Sequence, residues 1–222
     1  MADGFLLVNK PPGPTSHDVV EELRLLTKIR EIGHAGTLDP LAEGLLILLL
    51  GNFTKKSQDF MKFSKEYRAT MRLGLESDSH DVEGEITLKK EFAIPLREDI
   101  ESALEKFRGK IKQVPPQFSA VKVRGRKAYE EARKGKRVEL EARQVTISKL
   151  ETVWYKFPLL TLDIACSSGT YIRSLARDIG DSLDTGAIVI GLKRVSIGPY
   201  HIKDAVELSK ITSKNWVEFL KS

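Results

Sequence analysis

An aspartate followed at once by proline, Asp39-Pro40, ends the loop Gly33-His34-Ala35-Gly36-Thr37-Leu38. The proline steers Asp39 away from the α region, and Gly33 and Gly36 let the chain turn sharply, so a carboxylate can project from a rigid rim. One carboxylate delivered in this way suits nucleophilic attack or proton abstraction. Asp-Pro pairs are also common turn formers, so these residues by themselves favour a structural loop. His34 is open to the same two readings, as a titrating partner or as a satisfied surface or core histidine. A second constellation is Ser168-Gly169-Thr170-Tyr171-Ile172-Arg173, a turn leading into a helix. A cation near a helix start opposes the macrodipole, which invites an anionic partner. Were that partner Asp39, a bidentate contact with Arg173 would keep the acid charged and oriented, and a solvated surface arginine is the alternative. Tyr67, with Tyr171 as a second aromatic, could offer an unstacked nucleobase a replacement surface, although tyrosines at alternating strand positions mostly line a core.

The elements that must carry these residues read as a mixed α+β chain. Residues 5–8 are strand-like, Pro11-Pro12-Gly13-Pro14 breaks the strand, and Thr15 with Asp18 has capping-box spacing ahead of a Val19, Leu23, Leu26 helix face. The apolar run 45–50 after the Asp39 loop reads as an interior strand. Residues 65–73 alternate, with Tyr67, Ala69, Met71 and Leu73 on one side. An acidic connection over 76–85 carries Asp78, Asp81 and Glu83 but lacks the full ligand set of a calcium loop, so a solvated turn is expected. An amphipathic helix over 98–107 with Ile100, Leu104 and Phe107 inward, strands over 143–155 and 159–165, and a helix through 181 complete the pattern. No internal repeat and no glycine-rich phosphate fingerprint is present.

Composition narrows the class. The single cysteine, Cys166, forms no intrachain disulfide and sits in no Cys/His cluster, so no metal site is expected. The longest apolar run falls far short of the roughly 20 residues of a membrane-spanning helix. The N-terminus lacks the parts of a signal peptide, so a cytoplasmic location is expected. Between positions 122 and 143 nine Lys or Arg face four acids, a surplus of five that equals the net charge of the whole chain. Concentrated charge of this kind suits a phosphate backbone, and a solvated helix face is the alternative.

Taken together and in order, the motifs resemble one family. GFLLVNKPPGPTSHDVV, GHAGTLDPLAEGLL, KEYRATMRLG followed by DSHDVEG, VPPQFSAVKVRGRKAYEEARKG, CSSGTYIRSLARDIG and GLKRVSIGPY are similar to successive motifs of the bacterial tRNA pseudouridine-55 synthase family, often called TruB, from about Gly4 to Tyr200. The resemblance implies the pseudouridine synthase fold, a central, mostly antiparallel sheet flanked by helices with an RNA-binding thumb insertion. It places the catalytic carboxylate on Asp39, its paired arginine on Arg173 and the base-stacking tyrosine on Tyr67. Tyr171 matches the motif's second tyrosine, His34 the loop histidine that helps displace the target nucleotide, and Lys10 the lysine of the opening motif. RNA contacts are expected from Lys10, His34 and Tyr171, and from Lys122, Arg124, Arg126, Lys127 and Arg133 in the thumb.

The implied organisation is a catalytic domain over 1–200, with the thumb at about 122–143, and a short tail over 201–222 in which a PUA-like domain is absent or vestigial. Phe118 stands where the family usually has tyrosine, and Glu43 where a small hydroxyl residue is common. The implied reaction isomerises uridine-55 in the T loop of tRNA without any cofactor, on a monomer that needs no guide RNA and no membrane. Read without the resemblance, the residues also fit a non-catalytic RNA-binding protein, or a hydrolase using His34 and Asp39 as an acid–base pair.

Overall fold

The computed structural model describes residues 3–119, 121–123, 126–128 and 138–222. In chain order these form β1 (Gly4–Lys10), α1 (Ser16–Thr27), β2 (Ile32–His34), β3 (Glu43–Leu50), a 3-10 stretch (Gly51–Lys56) continuing into α2 (Ser57–Lys62), and β4 (Lys65–Leu73). There follow β5 (Leu75–Ser77), β6 (Ile86–Leu88), α3 (Arg97–Glu105), β7 (Gly109–Gln113), β8 (Lys122–Val123) and β9 (Arg126–Lys127). The described elements close with β10 (Arg143–Lys156), β11 (Leu159–Cys166), α4 (Ile172–Ser182), β12 (Ala187–Ile197), β13 (Tyr200–His201) and β14 (Val206–Glu207). Two compact units result: Met1–Arg68 with Leu192–Ser222, and Ala69–Gly191. The chain leaves the first unit within β4 and returns to it within β12.

In the first unit β3 is the middle strand. β1 lies antiparallel along one edge, from Gly4 opposite Leu50 to Lys10 opposite Gly44. The other edge takes β2, with His34 opposite Leu48, and β12 in parallel, with Arg194 opposite Gly44. A strand paired on both edges and covered on both faces must be apolar throughout, which is why residues 45–50 lack alternation. Leu46, Leu48 and Leu50 join Leu6 and Val8 against Val19, Val20 and Leu23 of α1. Leu45, Ile47 and Leu49 join Phe5, Leu7, Phe60 and Ile197 on the opposite face.

The start of α1 has the expected capping box. The Thr15 hydroxyl accepts from the Asp18 N–H at 3.0 Å and the Asp18 carboxylate accepts from the Thr15 N–H at 2.8 Å. Two otherwise orphaned donors are thereby satisfied, and the helix start is fixed in place. Residues 201–222 are woven into this unit. β14 pairs in parallel with β1, Phe5 and Lys221 exchange both backbone hydrogen bonds, and Trp216, Phe219 and Leu220 pack on the core beneath α1.

In the second unit β10 pairs antiparallel with β11 along one edge and with β7 along the other. The latter half of β4 turns Ala69, Met71 and Leu73 inward, as its alternation requires. Helix α4 buries Ile172, Leu175, Ala176 and Ile179, and α3 buries Ile100 and Leu104. Phe107 lies past the end of α3 and is half-buried. The chain is therefore α+β with mostly antiparallel pairing. No described helix is long and apolar enough to cross a membrane.

Candidate active site

The loop that presents Asp39 is built on its main chain. Arg194 of β12 donates to the carbonyls of Gly36 at 3.1 Å, Thr37 at 3.3 Å and Leu45 at 2.7 Å. The Leu38 carbonyl accepts from the Ser16 hydroxyl, the Asp39 carbonyl from the Ala42 N–H, and the Pro40 carbonyl from the Gly13 N–H. Every carbonyl from 36 to 40 is therefore hydrogen-bonded, in a stretch without regular secondary structure. Such a loop has few alternative conformations, which is the preorganisation a reacting group requires. Two glycines permit the geometry. Gly36 has φ +109°, and Gly44 has φ +108° with its missing Cβ position 2.3 Å from the Arg194 carbonyl oxygen, so no side chain fits where β12 approaches β3.

Arg194 is 1% exposed. Burial pulls its pKa down, while Tyr67, through charge and a hydrogen bond, and Asp39, through charge, hold it up. Asp39 and Tyr67, far apart in sequence and brought together here, thus share one buried guanidinium. His34 stands at the other end of the loop. Its Nδ1 is buried without a hydrogen-bond partner, and burial first, then Arg194 and His17, hold its pKa below the ordinary histidine value. All of these causes favour the neutral imidazole. Lys10 does not face outward as an RNA-contacting lysine would. It is wholly buried, and its ammonium donates to the carbonyls of Pro11 at 2.9 Å, Pro14 at 2.7 Å and Pro40 at 3.4 Å. It ties the opening motif to the Asp39 loop, because a buried ammonium needs such acceptors.

In the second unit, Arg173 lies in the first turn of α4 and is 6% exposed. Its guanidinium donates to the carbonyls of Ser79 at 3.0 Å and Phe118 at 2.9 Å and pairs with Asp81 at 3.3 Å. This revises the reading of the acidic connection as a solvated turn. Asp81 is 1% exposed, and one carboxylate oxygen accepts from the Ser79 hydroxyl and the Glu83 N–H. Tyr171 precedes the helix. Its backbone is clasped by the Gln113 amide at 2.8 and 3.1 Å, and its ring packs on Val121, Ala128 and Leu140 at the base of the insertion. Among the described residues no group of three or more His, Cys, Asp or Glu is gathered as a metal ion would require.

A family model described as TruB family pseudouridylate synthase (N terminal domain) matches residues 24–172, and one described as tRNA pseudouridylate synthase B C-terminal domain matches residues 173–220. The chain belongs to the TruB family of pseudouridylate synthases. A tRNA pseudouridine synthase B of Clostridium kluyveri is 40% identical over 218 residues, covering 98% of this chain and 75% of that protein. One from Borreliella burgdorferi is 42% identical over 226 residues, covering 100% and 80%. Among solved structures, a chain in the crystal structure of a Cbf5–Nop10–Gar1 complex superposes with a TM-score of 0.74 at 28% identity over 97% of this chain. This chain spans 56% of the length of that one.

Three residues that hold the loops carrying candidate residues were not given those roles from the sequence: Arg194 and Ser16 at the Asp39 loop, and Asp81 beside Arg173. Arg194 occupies a position in β12 whose carbonyl partners are 149 to 158 residues away in sequence. Asp81 resembled any acid of a polar turn until its burial was known. A signal did exist for Arg194, a basic residue at an inward position of an otherwise apolar alternation. Of the thumb residues, Lys122, Arg126 and Lys127 lie on the β8–β9 hairpin, and Arg124 and Arg133 lie outside the described residues.

Proposed function

We propose that this TruB-family enzyme isomerises uridine-55 in the T loop of tRNA to pseudouridine, with Asp39 as the catalytic carboxylate. In that reaction the N1–C1′ glycosidic bond breaks, the uracil turns and C5 bonds to C1′. The C5 proton leaves to solvent and N1 takes one up, so nothing is oxidised or hydrolysed and no cofactor takes part. Asp39 either attacks C1′ or removes a ribose proton, and both routes need the charged form. The observation that carries this reading is the loop at 36–40, in which five successive carbonyls are hydrogen-bonded around one half-buried aspartate beside Tyr67 and Arg194.

Tyr67 stacks on the everted uracil, replacing the partners it leaves in the T loop. His34, uncharged and with an orphaned buried nitrogen, helps displace the nucleotide. Arg173 and Tyr171 serve the same reaction. Lys122, Arg124, Arg126, Lys127 and Arg133 pair with RNA phosphates, and binding weakens with salt accordingly. The enzyme acts in the cytoplasm as a monomer on tRNA alone.

Tritium release from uridine labelled at C5 in a tRNA transcript, supplied without any guide RNA, tests this reading. The wild-type chain releases the label and Asp39→Asn does not. Equal release from both removes Asp39 from the chemistry, and release that depends on an added guide overturns the claim that the chain acts alone.

A further inference from the structure

Ser16 is the first residue of α1, 1% exposed, yet its hydroxyl does nothing for its own helix. Thr15 supplies the cap. The Ser16 hydroxyl instead donates to the Leu38 carbonyl at 3.0 Å and accepts from the Leu38 N–H at 2.8 Å, across 22 residues of sequence. One oxygen therefore closes both main-chain polar groups of the residue before Asp39, and Leu38 itself is 3% exposed. The geometric consequence follows from peptide planarity. The Leu38 carbonyl belongs to the same plane as the nitrogen and Cα of Asp39, so anchoring that oxygen fixes the base from which the Asp39 side chain departs. The anchor is rigid, because the capping box and the buried Val19, Val20 and Leu23 hold α1 in place. Arg194 and Lys10 secure the carbonyls of residues 36, 37 and 40, one or two steps further from the carboxylate.

We propose that Ser16 is a positioning residue for the Asp39 carboxylate, an inference that rests on the reading of Asp39 as the catalytic group. Without the hydroxyl, the 38–39 peptide is free to rotate and the carboxylate strays from its reacting geometry, while the surfaces that bind tRNA are untouched. A misplacement of this kind slows the chemical step and leaves binding alone.

The test compares Ser16→Ala, Ser16→Thr, Val20→Ala and Asp39→Asn by single-turnover isomerisation of tRNA transcript, with melting temperatures taken in parallel. Val20→Ala removes buried volume from the same helix without touching the loop. Ser16→Ala lowers the saturated rate roughly 10- to 100-fold with the half-saturating tRNA concentration within about twofold of wild type. Ser16→Thr, which keeps the hydroxyl, recovers most of the rate. A Ser16→Ala rate matching that of Val20→Ala, or a loss confined to half-saturation, overturns the proposal. Should Ser16→Ala fail to fold, Ser16→Cys preserves the volume with a much weaker hydrogen-bonding atom and carries the same comparison. If Asp39→Asn retains the wild-type rate, the reading of Asp39 fails first. If Asp39→Asn is inactive and Ser16→Ala is not impaired, the positioning role alone is overturned.

Discussion

Two loops of the molecule each hold an aspartate near a buried arginine, and they bury it to different degrees. In the loop at 36–40 the fixing contacts fall on the main chain, from Arg194, Ser16, Gly13, Ala42 and Lys10. In the loop at 77–84 they fall on the main chain and on the carboxylate alike, since the carbonyls of Ser77, Ser79, His80 and Asp81 also accept hydrogen bonds. Asp81 takes the Ser79 hydroxyl, the Glu83 N–H and the Arg173 guanidinium onto its two oxygens. Burial separates the two acids, since Asp81 is sealed and Asp39 is only half-buried. Asp81 is a sealed, charge-paired acid built into the structure, whereas Asp39 sits on an equally fixed loop and keeps part of its surface toward solvent.

Substituting the two acids gives the sharpest break. Asp39→Asn is expected to lose isomerisation roughly 10²- to 10⁴-fold, with a melting temperature close to that of the parent. Asp81→Asn is expected to do the reverse in kind, costing about 3–5 kcal/mol of stability by leaving Arg173 buried without its counter-charge, as read from denaturant midpoints. Similar stability losses in the two variants would erase the distinction.

Arg194→Lys tests whether the first loop depends on a forked donor. An ammonium cannot serve three diverging carbonyls in place of the guanidinium, so a loss of roughly 2–3 kcal/mol is expected together with slower isomerisation. A stable and fully active lysine variant would reduce Arg194 to a point charge.

The smallest effect is a dependence on pH. His80, beside Asp81, has its pKa pushed down to about 4, chiefly by burial and then by Arg177 and Arg173. The unfolded chain therefore takes up this proton first. The contribution to stability is complete above pH 6.5 and is lost as the pH falls from 6.5 to 4, by roughly 2 kcal/mol after allowance for partial exposure. His80→Asn, which tolerates the positive φ of 63° at this position, should flatten the dependence of the urea midpoint on pH over that window. An unchanged slope would place the acid sensitivity elsewhere.

Local chemistry was legible from sequence, and long-range chemistry was not. The capping box at Thr15 and Asp18, the doubly covered run at 45–50 and the alternation of β4 depend on neighbours within a few positions, and each formed as its pattern requires. The Asp39 loop was recognisable by its glycines and its proline. What holds that loop was not, because Ser16 reads as an ordinary first-turn serine and Arg194 as one strand residue among many. The pairing of Arg173 with Asp81 spans most of the second unit's sequence, and no periodicity announces it.

The guanidinium that braces Gly36 is encoded 158 residues downstream of it. During synthesis the ribosome therefore exposes Asp39 long before its brace exists, and the intervening unit must be made in between. A nascent chain arrested ahead of β12 carries Asp39 on a loop whose Gly36 and Thr37 carbonyls lack the Arg194 guanidinium. The bracing of this loop is thus completed only late in translation, when β12 pairs with β3.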